Sequence, residues 1–242
     1  MRFVEIENER GERFVHAAVA RAVVGYSAKD PIPAKARRQA HLDAIFRGHG
    51  RAPAASTVLA ATDQNGNELY GAVVLDAPFY ATLAVQDPER ARALAQLHRV
   101  VAGLFVADAY RGDGLGTYLL CELAAGHALE RGARYLDGFV DDRNGSADFY
   151  RTAGLTVMAH NTGLPSRRPS LTALEHHQEL DGHWFYLDLW ATYVDRMRCK
   201  ECAGELTFVP DDLGGDLRCP RTRVDEVSRL VHDVRPAPGG QP

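Results

Sequence analysis

The 242-residue chain predicts a mixed α/β (α+β) fold, a central sheet flanked by helices, with a small β appendage at its C-terminal end. Three observations predict it. Short apolar runs with strand periodicity alternate with amphipathic helical segments. A glycine-rich turn joins one apolar run to the strongest helical pattern. Three of the four cysteines gather between residues 199 and 219.

The elements follow in order. Arg2–Glu7 alternates and reads as a strand. Glu9–Val24 and Ala34–Phe46 read as helices, with Val15, Val19 and Val23 on one face of the first. Tyr26–Pro33 holds two prolines and reads as a loop. Thr57–Thr62 and Leu69–Leu75 read as strands, joined through Asn65-Gly66, a strong hairpin signal. Ala77–Ala84 fits helix and strand equally. Asp87-Pro88 opens a helix that reaches Leu97. Val100–Val106 is an apolar run of strand length. Leu115–Arg131 is the best helix, with Leu115, Leu119 and Leu123 along one face and Gly132 as its stop. Tyr135–Val140 reads as a strand and Ser146–Ala153 as a short helix closed by Gly154. Leu155–Ala159 and Trp184–Leu189 read as strands around the long polar stretch Asn161–Gly182. The expected organisation is a main domain at 1–192, an appendage at 193–234 and a frayed tail at 235–242.

Composition narrows the class. Apolar residues make up 45% and charged residues 25%, a globular balance. The net charge of −4 argues against a general nucleic-acid binder. No run approaches the ~18–20 apolar residues that span a bilayer. The acidic start, through Glu5, Glu7 and Glu9, is unlike a secretion signal, so a cytoplasmic protein is expected. There, clustered cysteines suggest metal more than disulfide, and Cys121 suggests a buried apolar side chain.

The turn Arg111-Gly112-Asp113-Gly114-Leu115-Gly116-Thr117 follows an apolar strand and runs into a helix. Free N–H groups at a helix start carry partial positive charge, and glycines let a phosphate approach them. No Gly-Lys-Ser/Thr follows, so this is not a Walker loop, and the spacing is not that of a dinucleotide fingerprint. After the next strand comes Asn144-Gly145-Ser146-Ala147-Asp148-Phe149-Tyr150, then Gly154-Leu155.

Together these two motifs resemble the GCN5-related N-acetyltransferase (GNAT) superfamily, closely over 97–158 and elsewhere by element order only. The resemblance implies a mostly antiparallel sheet and an acetyl-CoA-dependent N-acetyltransferase. It implies that Arg111, Gly112, Asp113, Gly114, Leu115, Gly116 and Thr117 bind the pyrophosphate. The backbone of Phe105 and Val106 is expected to pair with the pantetheine arm, where the strands on either side splay apart at a bulge. Asn144 is expected near the pantetheine and Tyr150 near the sulfur, as leaving-group acid. An N–H at or near Val106 is the expected oxyanion donor. Many members carry a glutamate on the strand before the cradle; Arg99–Ala107 has no carboxylate. His98 is the nearest titratable group, and the base stays open between His98, a water chain and direct capture of a neutral amine.

The acceptor is expected to be a small-molecule amine or a protein amine, entering beside the first helices and the 161–182 loop. Arg167, Arg168, Glu175, His176, His177 and Glu179 lie in that loop. A homodimer is common among proteins of this kind. Cys199-x-x-Cys202, then Cys219-Pro220, resembles a zinc ribbon with Thr222 where a fourth cysteine belongs. Zn²⁺ completed by Asp225, His232 or another donor stands beside a ribbon that has lost its metal. The alternative to an enzyme is a non-catalytic acyl-CoA sensor or adaptor whose ribbon contacts a partner.

Overall fold

The computed structural model describes residues 1–6, 9–22, 43–44, 56–76, 97–160, 162, 181–199, 202–209, 216–220 and 234–236. Strands β1 (Arg2–Ile6), β2 (Thr57–Thr62), β3 (Leu69–Asp76), β4 (His98–Val106), β5 (Tyr135–Asp141), β6 (Thr156–Val157) and β7 (Gly182–Asp188) form one sheet. Its seven strands run in the order β1-β2-β3-β4-β5-β7-β6. β4 and β5 are parallel, and every other neighbouring pair is antiparallel. The expected mixed α/β sheet is therefore present, with β6 shorter than the 155–159 run suggests. The expected helices at 34–46 and 87–97 fall almost wholly outside the described residues.

Helices cover both faces. α1 (Glu9–Ala22) lays Val15, Ala18 and Val19 on Val58, Ala60, Ala72 and Val74. On the opposite face, α2 (Leu115–Glu130) and α3 (Ala147–Thr152) pack against Leu59, Val73, Val101, Leu136 and Phe185. β2, covered on both sides, is buried along its whole length.

α2 is continuous from Leu115 to Glu130 but not uniform. Its ends, Leu115–Tyr118 and Ala125–Glu130, are α-helical, and Leu119–Ala124 between them is a wide π turn. The Ala125 N–H reaches back to Leu120 O. Cys121 O, its ordinary α-helical acceptor, takes the Tyr193 hydroxyl at 2.5 Å. Cys121 itself is half-buried, its thiol 3.3 Å from Ala153 O.

Two devices lock the β5 end of the sheet. The Arg134 guanidinium, 2% exposed, donates to Asp188 Oδ2 at 3.1 and 3.3 Å. It lies near the rings of Tyr135 and Trp190, 5.1 and 5.0 Å from their centroids. At Gly138 the Phe185 ring crosses so close that a Cβ would stand 2.5 Å from Phe185 Cζ. After β5 a 3₁₀ turn, Asp142–Asn144, is capped by Asp141, which accepts the Arg143 N–H at 2.9 Å and also pairs with the Arg143 guanidinium. That guanidinium holds the Asp141 carboxyl down, to about 2.

Beyond β7 come α4 (Leu189–Thr192) and four short strands. β8 (Met197–Cys199) pairs with β11 (Val234–Pro236), and β9 (Thr207–Val209) with β10 (Asp216–Arg218). β11 crosses the expected boundary at 234/235, so the chain is still paired where a frayed tail was expected. Met197 and Leu217 join the main core, and Arg196 bonds Glu122 of α2 at 2.8 and 3.3 Å.

Gly138→Ala is expected to cost about 1–3 kcal/mol by overpacking against Phe185. A urea denaturation midpoint equal to that of the parent would refute the contact. Asp141 sits below the ordinary carboxylate value of ~3.9, so its charge stabilises the fold above that value and ceases to as pH falls toward 2. The parent should therefore lose more stability between pH 4 and 2 than Asp141→Asn does; equal losses would show that the cap is not charge-assisted.

Candidate active site

The site is built on β4. Val74 pairs with Gly103 and Leu75 with Val101, which leaves Ala102 as an extra, bulged residue. On its other side β4 pairs with β5 only over His98–Val101, opposite Tyr135–Gly138. Beyond Val101 the two strands part. The Ala107 N–H donates to Tyr70 O on β3 at 2.8 Å. Alternation then turns the peptide groups of Leu104 and Val106 into the gap and that of Phe105 toward β3. The backbone of Leu104 therefore faces the gap beside that of Val106, while Phe105 still lines the gap.

The gap opens into a cleft of roughly 560 Å³, a size suited to a small ligand. β4 from Val101 to Val106 forms one wall, and Phe139, Val140, Asn144, Ser146, Phe149 and Tyr150 form the other. Arg111, Gly112, Gly114, Gly116 and Thr117 close one end. Asp113 and Leu115 do not reach the lining: Asp113 is exposed and Leu115 is buried in the core.

Local geometry explains the glycines. Gly112 and Gly114 have φ of +91° and +81°, a region that a Cβ disfavours. Gly116 packs so that a Cβ would lie 3.3 Å from the Phe149 ring. The Tyr118 N–H returns to Gly114 O at 2.9 Å. The N–H groups of Leu115, Gly116 and Thr117 precede that bond and carry the helix's partial positive charge. The Arg111 guanidinium bridges Val106 O (3.0 Å) and Asp108 Oδ1 (3.1 Å) and is 58% exposed. This end of the cleft gathers a helix start with the Arg111 charge at its rim, an arrangement that suits an anion.

Tyr150 lies flat on Phe185, centroids 3.9 Å apart, with Phe149 edge-on at 5.1 Å. Burial pushes its hydroxyl up to about 12, so it stays protonated at neutral pH. His98 is elsewhere. It is fully buried in the closed part of the seam, Nδ1 2.5 Å from Asp137 Oδ2, its ring stacked on Tyr135. Burial raises the Asp137 carboxyl, with His98 acting against it. His98, one of the open candidates for the base, does not line the cleft. Among the described lining residues there is no Asp, Glu or His.

Cys199, Cys202 and Cys219 meet, as the spacing suggests, with their sulfurs all within 4.8 Å of one another. Thr222, Asp225 and His232 lie outside the described residues, as do Arg167, Arg168, Glu175, His176, His177 and Glu179. Sequence reasoning missed Gly138, Phe139, Val140, Ser146 and Phe185. Gly138 carried a signal, since glycine inside a strand often marks a close approach. The others look like ordinary strand and turn residues.

Among curated proteins none matches this chain. Solved structures that resemble it include a GNAT-family acetyltransferase from Desulfovibrio desulfuricans, at 15% identity over 78% of this chain and 98% of that one, with a TM-score of 0.47. GCN5 of Tetrahymena is 12% identical over 78% and 99%, with a TM-score of 0.49. A phosphinothricin acetyltransferase from Sinorhizobium meliloti, solved in complex with AcCoA, is 16% identical over 77% and 88%, with a TM-score of 0.44. The model of the Acetyltransferase (GNAT) family matches residues 7–155. That match spans more than half of the chain, which therefore belongs to the GNAT family.

Proposed function

We propose that this chain transfers an acetyl group from acetyl-CoA to a primary amine, by direct attack within a ternary complex. The observation that carries this reading is the parted β4–β5 seam with the glycine cradle at its end. The acceptor is a small-molecule or protein amine. In this reading the N–H groups of Gly116 and Thr117 and the Arg111 guanidinium hold the pyrophosphate. The peptide groups of Leu104 and Val106 pair with the pantetheine arm as an added strand would. A Val106 or neighbouring N–H stabilises the developing oxyanion. Asn144 orients the arm.

The proton inventory assigns the remaining roles. A departing thiolate has a conjugate acid near ~8.5, and Tyr150, kept protonated by burial, donates a hydrogen bond to it and passes on a proton only as the one released by the attacking amine replaces it. The attacking amine must be neutral, against an ordinary value near ~10.4 for a lysine-like group. We assign His98 to holding the β4–β5 seam through Asp137. The acceptor is captured as its neutral form or loses its proton through water.

We further assign residues 1–192 to the catalytic unit and 193–234 to an appendage with zinc as its candidate ion. None of Cys199, Cys202 and Cys219 lines the cleft. One observation favours a second reading. A cleft whose described lining has no carboxylate or imidazole also suits a non-catalytic acyl-CoA sensor.

Free-thiol release from acetyl-CoA across a panel of small amines, peptides and proteins tests both readings. Release with one amine class identifies the enzyme, and CoA binding with no release across the panel identifies the sensor. Arg111→Ala is expected to weaken CoA binding about tenfold, roughly one charge-assisted contact; unchanged affinity would remove Arg111 from the cradle. Tyr150→Phe is expected to lower turnover by about a hundredfold or more with CoA affinity nearly unchanged. Turnover equal to that of the parent would end the acid role.

A further inference from the structure

The C-terminal cysteines have no task in the acyl-transfer reading, yet the chain is bent to bring them together. Cys199 ends β8. Its N–H donates to Gly204 O at 2.9 Å, and the Ala203 N–H donates back to Cys199 O at 2.8 Å. Ala203 closes this loop with φ of +54°, the left-handed region that a non-glycine residue seldom occupies. The Gly204 N–H hydrogen-bonds Cys202 Sγ. Cys219 arrives from the end of β10, with its sulfur 3.5 Å from Cys202 Sγ. Cys199 and Cys219 are 2% and 5% exposed, and none of the three forms a disulfide.

Four sulfurs around Zn²⁺ at ~2.3 Å stand about 3.8 Å apart, close to the spacing found here. Thiolates are soft donors, which selects zinc over magnesium or calcium. The strands they tie together are only three residues long, in two two-stranded pairs, too short to persist without a staple.

The same segment grips α2. Tyr193 supplies the hydrogen bond to Cys121 O in the π turn, and Arg196 holds Glu122 beside it. The first turn of that helix lines the cleft through Gly116 and Thr117. We propose that Cys199, Cys202 and Cys219 bind Zn²⁺, and that the ion secures this grip and so sets the affinity of the cleft for coenzyme A. The second half rests on the cleft being a coenzyme-A site.

The test uses the full-length protein, reduced, stripped with a chelator and titrated with Co²⁺. One equivalent per chain is expected to produce a thiolate-to-cobalt charge-transfer band and intense visible bands of tetrahedral cobalt, both bleached by Zn²⁺. Cys202→Ser and Cys219→Ser should each lose the charge-transfer intensity, and Cys121→Ser should keep it. Absence of the band in the parent, or its survival in both ribbon variants, overturns the metal site. Calorimetric titration with CoA follows, on the zinc-loaded and the stripped parent, so that no variant needs to fold. Zinc is expected to tighten CoA binding at least about fivefold, a modest coupling between sites. Equal affinity overturns the coupling and leaves the metal site to the cobalt result. Absence of CoA binding in both states overturns the coenzyme-A reading, and the coupling with it.

Discussion

β4 has two partners of unequal reach. β3 follows it to Val106, whereas β5 stays with it only as far as Val101. A strand edge left open inside a fold exposes peptide groups that need partners. The bulge at Ala102 places this open edge beside the glycine cradle, at the start of a helix packed on the same sheet. A ligand with an anion at one end and an amide-bearing arm satisfies both features at once. The rest of the site depends on this parting of two strands, since it creates the cleft and turns the peptide groups of Leu104 and Val106 toward it. The His98–Asp137 pair marks where the parting stops, and its burial keeps the lower seam dry and closed.

The acid candidate is positioned by a chain of packing contacts. Gly138 has no side chain, so Phe185 crosses β5, and Tyr150 lies on Phe185. The stack holds the phenol at the cleft wall, and burial keeps it protonated. Hydrophobic packing sets both the place of the hydroxyl and its chemistry. The Asp141 cap performs a comparable task for Asn144 through charge rather than packing.

α2 links the site to the appendage. A π turn disturbs the i to i−4 ladder, and such turns often accompany functional positions. Here the disturbance hands Cys121 O to a tyrosine from the segment after β7. Tyr193 donates to a carbonyl that the Ala125 N–H passes over, and Arg196 adds an ion pair on the next residue, Glu122. The appendage thus completes the hydrogen bonding of the helix whose start forms the cradle.

Local patterns in the sequence determined most strands, the cofactor helix and the cradle. Period-two and helical spacing depend on neighbours along the chain, and glycines with positive φ announce a turn wherever it sits. The meeting of the cysteines was legible for the same reason, as a short knuckle and one later partner. Tertiary structure alone decided the rest. Whether His98 faces a ligand or a buried carboxylate depends on the register of β4 against β5, which alternation within one strand does not encode. The peptide group of Leu104, not that of Phe105, faces the gap because the hydrogen bonds to β3 set which groups turn that way. Gly138 became meaningful only when Phe185, distant in sequence, lay across it. A hydrogen bond from Tyr193 to a backbone carbonyl has no side-chain signature at Cys121. Periodicity reports which residues are buried; only the packed fold decides what each of them is buried against.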